Sequence, residues 1–403
     1  MIRFLTAGES HGKALITIVE GFPSNIAISR EYINRQLKRR QAGYGRSTRM
    51  KIESDSVQIL SGIRFGKTLG SPISFLIENK DWRNWQELMD IEQSQKSDKK
   101  ITIPRPGHAD LVGITKYNFD DIRNSIERSS ARETAARVAA GTVARKFLEL
   151  FGIYVGSFVE SIGGIYSSKD YFSQILQNKT SFGKTGWDIS IKADRSTVRV
   201  LDQLQEKKIV NKIKSTKKKG DTLGGTFLVV ATGLPVGLGS FMHYDRRLDA
   251  DIAFHMMSIN AVKGIEIGAG FKSAENFGSR VHDEIKIEHV KFSRRTNHAG
   301  GIEGGITNGL PIIVRAAMKP ISTLSKPLTS IDLSSMKKVS SRYERSDFTA
   351  VPSCAVIAES MLAWVIAKHF LLKFGGDSTE ETKDNFSSFT KKSFNRIRKG
   401  FRK

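Results

Sequence analysis

Two segments rich in small and apolar residues constrain most strongly what this chain can fold into. In the first, residues 131–150, alanines recur at positions 131, 135, 136, 139, 140 and 144. Ser130 and Glu133 precede it with the spacing of a capping box, and Gly152 follows as a stop signal. This pattern predicts a long helix that another element can approach closely.

The second segment, residues 355–366, is the most apolar stretch of the chain. It contains Glu359 and is shorter than the roughly 20 apolar residues that a membrane span needs. Pro352 can open a helix here, and the pair Gly375-Gly376 can end it. We therefore expect a second long helix that lies in the core.

Short apolar runs predict strands around these two helices. The runs cover residues 2–6, 15–19, 57–60, 73–77, 153–165, 226–231 and 312–318. A further helix should follow Ser29, with Ile33 and Leu37 on one face and Gly43 at its end. Because strands and helices come in mixed order without a regular alternation, the fold class predicted is α+β.

The 403 residues suffice for one large domain or two average ones. The sequence has neither an internal repeat nor a linker rich in Pro, Gly or Ser, so we expect one domain over residues 1–377. Within it, residues 81–102 predict a polar surface excursion, and residues 166–220, rich in Lys, Ser and Asn, predict peripheral structure. The basic segment 378–403 is expected to be a flexible tail.

The net charge of +23 indicates an anionic ligand, which could be nucleic acid, anionic lipid or a phosphorylated metabolite. A nucleic-acid-binding protein would interleave aromatic with basic residues or carry a recognisable helix or zinc module. Neither pattern is present, nor is Cys/His spacing for a metal site. We therefore expect no nucleic acid, no membrane and no metal as partners.

Cysteine usage and the amino terminus bear on the compartment. The single cysteine, Cys354, rules out an internal disulfide and suits a reducing cytosol. The chain starts without a basic region followed by a long apolar stretch, so no signal peptide is expected. A cytoplasmic location is the expectation.

His11 lies in a predicted turn between two strands, flanked by Gly8 and Gly12. Glycines let a ligand approach the backbone closely, which favours a functional histidine. A plain hairpin turn that happens to contain histidine is an equally open interpretation at this point. His108 lies in a similar turn, accompanied by Arg105, and the functional interpretation is favoured only modestly there.

Arginines follow the predicted helix after Ser29. Arg39, Arg40, Arg46 and Arg49 lie in a stretch, residues 32–52, that has no acidic residue. Guanidinium groups bind phosphate and carboxylate bidentately, although a solvated basic helix face would show the same composition. The Gly-Tyr-Gly-Arg step favours a shaped loop at Arg46.

Three more stretches are candidate binding segments. Residues 128–133 place two arginines and two hydroxyls at a helix start, where anions bind readily, although a simple cap with exposed arginines remains open. Residues 297–309 are dense in glycine and could lie flat against a planar ligand, or form a surface loop. Residues 319–323 follow a predicted strand directly, and Asp347 precedes the last helix.

Six stretches of the sequence, taken together and in order, resemble the chorismate synthase family. The matching stretches are Gly8-Glu-Ser-His-Gly12, Arg105-Pro-Gly-His-Ala-Asp110, Glu127-Arg-Ser-Ser-Ala-Arg-Glu-Thr-Ala135, Ser258-Ile-Asn-Ala-Val-Lys-Gly264, Gly300-Gly-Ile-Glu-Gly-Gly305 and Arg345-Ser-Asp347. The resemblance runs from Arg3 to about Asp377, is weak over residues 166–220, and does not extend into the basic tail.

The resemblance implies a fold in which helices are packed between two antiparallel sheets, usually assembled as a homotetramer. It implies a lyase that converts 5-enolpyruvylshikimate-3-phosphate to chorismate and phosphate by anti 1,4-elimination, the last common step of the shikimate pathway. Reduced FMN is the implied cofactor, with NADPH or an external flavin reductase as the source of reduction. The competing interpretations are an ordinary flavin oxidoreductase and, less favoured, a nucleic-acid-binding protein.

The resemblance also assigns roles by motif. His11 would protonate the departing phosphate, His108 would protonate the reduced flavin, and Asp347 would take a proton from the flavin ring. Arg40 and Arg46 would bind a nicotinamide cofactor or substrate anions. Further substrate contacts are expected at Arg49, Arg105 and Arg132. FMN contacts are expected at Arg128, Ser129, Ser130, Asn260, Ala261, Gly304, Lys319, Pro320, Ile321, Ser322, Thr323 and Arg345.

Overall fold

The computed structural model describes residues 1–46, 54–92, 100–178, 185–288, 291–344 and 346–400. The strands, in chain order, are β1 (Arg3–Ala7), β2 (Ala14–Glu20), β3 (Val57–Ser61), β4 (Ile63–Arg64), β5 (Lys67–Thr68), β6 (Ile73–Glu78), β7 (Tyr154–Ile162), β8 (Ile165–Tyr166), β9 (Gly225–Thr232), β10 (Val262–Ile267), β11 (Ile285–Glu288), β12 (Lys291–Arg294), β13 (Ile302–Glu303), β14 (Ile306–Thr307), β15 (Ile312–Met318), β16 (Thr329–Asp332) and β17 (Lys337–Ser340). The α-helices are α1 (Arg30–Gln41), α2 (Asp110–Tyr117), α3 (Ile122–Ser129), α4 (Thr134–Glu149), α5 (Tyr171–Leu176), α6 (Gly186–Asp194), α7 (Gln203–Lys218), α8 (Leu248–Met257), α9 (Gly278–Val281), α10 (Val351–Phe374) and α11 (Thr379–Gly400).

The first large sheet has four strands in the order β1-β2-β6-β3, all antiparallel to their neighbours. Its central strands alternate, so Leu15 and Val19 of β2 and Ile73 and Phe75 of β6 are buried on the same side. One-sided burial of this kind follows from the period of two in a strand. The predicted strands at residues 2–6, 15–19, 57–60 and 73–77 are confirmed.

The second large sheet has five antiparallel strands in the order β10-β15-β9-β7-β8. Both of its faces are covered. Phe227 and Val229 of β9 join the main core, whereas Leu228 and Val230 join a second cluster. The predicted strand over residues 153–165 is two strands, because Gly163 and Gly164 turn the chain with positive φ between β7 and β8.

Helices α4 and α10 pack against each other, as the alanine spacing predicts. A Cβ added at Gly141 of α4 would lie 2.5 Å from the backbone oxygen of Ser360 in α10. The alanines at 135, 136, 139, 140 and 144 are all fully buried. Helix α4 also contacts β2 and β6 of the four-stranded sheet, and α10 contacts β7 and β9 of the five-stranded sheet.

The start of the long helix differs from the prediction. Residues Ala131–Glu133 form a 3-10 turn, and the α-helix begins at Thr134. Ser130 Oγ accepts a hydrogen bond from the Arg132 backbone N–H (3.3 Å), while the Glu133 carboxylate binds Arg137 Nε at 2.6 Å. The predicted capping box was wrong because Glu133 pairs with the arginine one turn onward instead of turning back.

Helix α10 is a core helix, as predicted. By length and composition it could cross a membrane, yet 83% of its most apolar window is buried inside the protein. Its Glu359 is 1% exposed and binds Arg39, Arg145 and Arg199. Burial alone would raise the pKa of Glu359, but the three arginines outweigh it and hold the pKa well below the ordinary value.

The segment over residues 166–220 covers the second face of the five-stranded sheet. Its helices α5 and α6 bury Phe172, Ile175 and Ile189 against Phe158 of β7 and Ile313 of β15. The sequence pattern was weak here because the helices are short and their exposed sides are rich in lysine. The segment is therefore part of the described core rather than only a surface addition.

Beyond α10 the chain does not become a free tail. Residues Thr379–Gly400 form α11, so the expectation of a flexible segment from residue 378 is wrong for these residues. Phe386 contacts Phe370 and Phe374 with ring centroids 5.4 and 5.3 Å apart, and Phe389 contacts Phe374 at 5.6 Å. These two phenylalanines pack the helix against α10. The expectation of a flexible tail relied on the many lysines and arginines and overlooked the phenylalanines.

Candidate active site

A cavity of about 390 Å³ collects residues from nearly all of the predicted binding stretches. The turn between β1 and β2, the end of α1, the loop before α2, the start of α4 and the segment after β15 all contribute to it. The cavity is lined by Ser10, His11, Arg40, Arg46, Arg105, Gly107, His108, Ala109, Ile126, Ser129, Ser130, Ala131, Arg132, Thr134, Ile259, Asn260, Ala261, Met318, Lys319, Pro320, Ile321, Ser322, Thr323, Glu344, Ser346, Asp347, Ala350, Ser353, Cys354 and Ile357.

His11 is held in the turn between β1 and β2. Gly8 allows this turn, because its φ is +105° and a Cβ there would lie 2.3 Å from the Ala14 oxygen. His11 Nδ1 lies 2.8 Å from Glu127 Oε1, and the His11 backbone N–H donates to Glu127 Oε2 at 2.7 Å. The imidazole stacks on Trp85 with ring centroids 3.8 Å apart.

The carboxylate of Glu127 is buried beside His11. Burial on its own would raise the pKa of Glu127, but the hydrogen bonds and charge of His11 outweigh it and hold the pKa below its ordinary value. Glu127 therefore stays ionised next to the imidazole. A second contact reaches it from Arg123, whose Nη1 lies 3.4 Å from Glu127 Oε1.

His108 also contacts a carboxylate, that of Asp110, which Arg105 binds as well. His108 Nδ1 lies 2.5 Å from Asp110 Oδ1. Arg105 binds the same carboxylate with two parallel hydrogen bonds of 2.9 Å, from Nε to Oδ2 and from Nη2 to Oδ1. Burial opposes ionisation of Asp110, yet the bonds from Arg105 and His108 hold its pKa well below the ordinary range.

Two cavity arginines share one buried carboxylate. Arg132 Nη1 lies 2.5 Å from Asp55 Oδ1, and Arg40 Nη1 lies 3.3 Å from Asp55 Oδ2. Arg40 also donates to Thr134 Oγ1 and to the Ala131 carbonyl, both at 3.0 Å. Burial lowers the pKa of Arg40 to about 10, and Asp55 opposes that effect, so the guanidinium remains charged near neutral pH.

Arg46 and Asp347 form an ion pair in the wall of the cavity, with Arg46 Nη1 2.9 Å from Asp347 Oδ2. The pair joins the loop after α1 to the segment before α10. The structure therefore places Asp347, expected to accept a proton, against a guanidinium.

Asn260 and Ala261 line the cavity from the connection between α8 and β10. Asn260 Nδ2 donates to the Ser129 carbonyl at 3.1 Å, and its buried Oδ1 has no hydrogen-bond partner among the residues that the structure describes. Ala261 has a φ of +67°, a left-handed conformation that is uncommon for alanine. Its carbonyl accepts from the Lys319 backbone N–H at 2.9 Å, which ties it to the segment after β15.

The segment after β15 approaches the loop that carries His108. Lys319 Nζ donates to the Gly107 carbonyl, and Ser322 Oγ donates to the same oxygen at 2.8 Å. Burial, with a smaller contribution from Lys263, lowers the pKa of Lys319. Thr323 Oγ1 accepts from Arg105 Nη1 at 3.1 Å. These contacts fix one wall of the cavity.

Not every predicted site residue lies at the cavity. Arg128 donates instead to the Thr6 carbonyl at 2.9 Å and to the Gly8 carbonyl at 3.3 Å, which fixes the turn that carries His11. Gly304 lies in the turn between β13 and β14 and is not among the lining residues. The predictions for Arg49 and Arg345 fall outside the described residues.

Sequence reasoning gave no role to three residues that the structure places around the site. Glu127 was visible in a matching stretch, one helical turn after Arg123, and that i,i+4 spacing was the available signal. Trp85 lies in the segment expected to be a surface excursion, and Asp55 has no local pattern at all. Only the fold brings these two to His11 and to the arginines.

The comparisons with known proteins agree with this geometry. The family model described as chorismate synthase matches residues 2–371. The chain belongs to the chorismate synthase family. The chorismate synthase of Chloroherpeton thalassium is 52% identical over 396 residues, which are 97% of this chain and 100% of that protein. That of Aquifex aeolicus is 52% identical over 392 residues, 96% of this chain and 97% of the relative.

A solved structure extends the likeness to three dimensions. The protein described as "Crystal Structure of Chorismate Synthase" matches with a TM-score of 0.79 and 43% identity, and the match covers 98% of each chain. Chorismate synthases are lyases of the shikimate pathway, which leads to the aromatic amino acids. This chain is accordingly an enzyme, a lyase of that pathway that acts on a small molecule. The mixed helix and strand architecture, with several antiparallel sheets, is that of the family member.

Proposed function

We propose that the cavity binds reduced FMN together with 5-enolpyruvylshikimate-3-phosphate and eliminates phosphate by an anti 1,4-elimination. The observation that carries this proposal is the convergence of two carboxylate-bound histidines, His11 and His108, with four arginines in one cavity. The arginines are Arg40, Arg46, Arg105 and Arg132.

The substrate's charges account for the arginines. It carries two carboxylates and one phosphate, and guanidinium groups bind such anions with paired, charge-assisted hydrogen bonds. Arg40 and Arg46 could instead bind NADPH. They line the same cavity as both histidines, which favours their binding to the substrate that reacts there.

The residues of the cavity also fit a flavin. The buried Oδ1 of Asn260 can accept from a ring N–H, and the left-handed backbone at Ala261 lets a planar group lie close to the chain. Hydroxyls and an ammonium group for a phosphate come from Ser129, Ser130 and Lys319 to Thr323. When bound, reduced FMN supplies electron density that assists C–O cleavage and takes it back as the hydrogen leaves, without net redox change.

The protein's own groups then move protons and hold charge. His11 would donate a proton to the departing phosphate, which Arg40 and Arg132 would keep in place. His108 would supply a proton to the flavin ring, and Asp347 would accept one from it. Arg105 holds Asp110 and thereby the orientation of His108.

We further infer that the fold is a sandwich of helices between the two large sheets, since α4 contacts β2 and β7, which belong to different sheets.

A homotetramer is proposed for the assembly of the chain. Exposed aromatic and apolar side chains at Phe241, Met242, Tyr244 and Phe254 support association. The chain's one cysteine, fully buried, supports a place in the reducing cytosol.

An anaerobic assay of phosphate release with photoreduced FMN tests the proposed function. Turnover should require reduced FMN, and chelators should leave it unchanged. Many phosphates should be released for each flavin that is oxidised, whereas an ordinary flavin oxidoreductase consumes reduced flavin in proportion to product. Turnover with oxidised FMN and no reductant would refute the proposal.

A further inference from the structure

We propose that Glu127 and Trp85 are positioning residues that hold His11 for proton donation. This inference rests on the proposed function, because it adds to the role of His11 in the elimination. Glu127 fixes which ring nitrogen can act, and Trp85 fixes the plane of the ring. Neither residue lines the cavity, so both act through His11.

Glu127 binds His11 with both carboxylate oxygens. Oε2 accepts the His11 backbone N–H at 2.7 Å, while Oε1 and Oε2 lie 2.8 and 3.1 Å from Nδ1. The Glu127 side chain is 2% exposed, so water does not compete for these bonds. An ionised carboxylate only accepts hydrogen bonds, and Nδ1 must therefore carry a proton. Proton transfer at the cavity passes through Nε2.

Trp85 restrains the ring from its face. The His11 and Trp85 rings are stacked at 3.8 Å with an interplanar angle of 29°. Trp85 is itself fixed, because its Nε1 donates to Asp81 Oδ2 at 3.1 Å. Arg123 lies against the same indole, with Cζ 4.9 Å from its centroid, and also contacts Glu127. A closed ring of contacts therefore joins His11, Trp85, Arg123 and Glu127.

This arrangement follows the general design of an oriented acid or base, in which a third group holds the histidine in one tautomer. Substituting Gln for Glu127 keeps the size of the side chain but replaces one acceptor oxygen with an amide NH2 donor. When the amide oxygen accepts the His11 backbone N–H, the NH2 group faces Nδ1. It then favours the tautomer in which Nδ1 carries no proton. The variant therefore changes the chemistry of His11 while it leaves the packing intact.

The first test compares Glu127→Gln with Glu133→Gln under anaerobic turnover with reduced FMN. Glu133 is a matched control, since it is also buried but pairs with Arg137 one turn onward rather than with the site histidine. We expect Glu127→Gln to lower kcat about 10–100-fold, less than the roughly 10²–10⁴-fold that a general acid contributes. KM should stay within about threefold, and Glu133→Gln should turn over like the parent protein.

A double-variant cycle separates positioning from a general structural effect. In a His11→Ala background, Glu127→Gln should lower kcat by less than about threefold, because the residue through which it acts is gone. Equal losses in both backgrounds would overturn the inference. Trp85→Phe keeps an aromatic face and should fall between the parent protein and Trp85→Ala; equal rates for all three would remove Trp85 from the account.

Ring ¹⁵N shifts of His11 give a readout that does not need turnover. In the parent protein they should report a proton on Nδ1, and in Glu127→Gln they should change toward the other tautomer. Unchanged shifts would contradict the positioning role even if the rate falls. If the parent protein itself releases no phosphate with reduced FMN, the proposed function fails, whereas the shifts would still test the contact between Glu127 and His11.

Discussion

Two neighbouring residues of α1, Arg39 and Arg40, enter two different buried charge clusters. Arg39 is 9% exposed and joins Glu359 of α10, with Nη1 and Nη2 at 2.7 and 2.9 Å from its two oxygens. Arg40 is 5% exposed and joins Asp55 and the wall of the cavity. The two residues are thus the same type, are both buried, and each pairs with a buried carboxylate.

The clusters differ in what surrounds the carboxylate. Around Glu359, Oε1 receives hydrogen bonds from Ser157, Ser190, Arg199 and Arg39, and Oε2 receives them from Arg39 and Arg145. All of these donors therefore bind a carboxylate of the protein itself. At Asp55, by contrast, Arg40 and Arg132 also line the cavity of the candidate active site. A buried arginine thus indicates an anion site only where a cavity meets it.

The largest expected effect concerns the cluster around Glu359. Glu359→Ala should lower the free energy of unfolding by about 3–5 kcal/mol, because it leaves three buried guanidinium groups without their carboxylate. Denaturant unfolding of the variant and the parent protein measures this. Exposed Glu380→Ala is the control and should change stability little. Equal midpoints for Glu359→Ala and the parent protein would show that the cluster does not hold the fold.

The adjacent arginines give the next test. Arg40→Lys should lower kcat/KM about 10–100-fold, because the lysine loses the planar fork of donors that a bound anion needs, worth about 1.5–3 kcal/mol. Arg39→Lys should reduce stability instead and leave kcat/KM nearly unchanged at temperatures where the variant is folded. Steady-state kinetics and thermal unfolding of both variants decide it. Equal kinetic losses would erase the distinction between the clusters.

The acid dependence of stability should also distinguish the clusters. The folded-state pKa of Glu359 lies below its ordinary value of 4.5. Its contribution to stability is therefore fully present above that pH and is lost as pH falls toward the folded-state pKa. The free energy of unfolding of Glu359→Gln should therefore fall less steeply with decreasing pH, by up to about 1.4 kcal/mol per pH unit. This acid limb of the stability curve is measured by denaturant unfolding at a series of pH values. Exposed Glu380→Gln should leave the limb as it is. An identical limb in Glu359→Gln would contradict the assignment.

The smallest effect is expected far from both clusters. Deleting residues 391–403 retains Phe386 and Phe389, which pack α11 on the core, and should leave the elimination rate within about threefold. Deleting residues 379–403 removes both phenylalanines and should lower the thermal midpoint. A 391–403 deletion that folds and binds FMN but no longer turns over would give the basic segment a role in the reaction.

The sequence predicted those parts of the fold that depend on local patterns. Helix α1 begins after Ser29, whose Oγ accepts from the Tyr32 N–H at 3.2 Å, and the alanine spacing of α4 predicted its close packing. The sequence did not predict the helices within residues 166–220, because they are short and their apolar side chains pack on the second face of the sheet. Pairing over long distances along the chain also escaped prediction, as between Arg39 and Glu359, because no local pattern encodes it.

The candidate site shows the same division. His11, His108, Arg46 and Asp347 were singled out from their stretches, and all four line one cavity. Their supporting residues were not, since Asp55 and Trp85 reach the site only through the fold. Sequence motifs thus predicted groups that line the cavity, whereas the residues that contact and support these groups needed the structure.

The most direct test of this account is the rate of phosphate release under anaerobic conditions with reduced FMN, measured for the parent protein, His11→Ala and Glu359→Gln below their unfolding temperatures. We expect turnover by the parent protein without net consumption of reduced flavin, a loss of about 10²–10⁴-fold in His11→Ala, and a parent-like rate in Glu359→Gln. A His11→Ala variant as fast as the parent protein, or a folded Glu359→Gln variant as slow as His11→Ala, would contradict it.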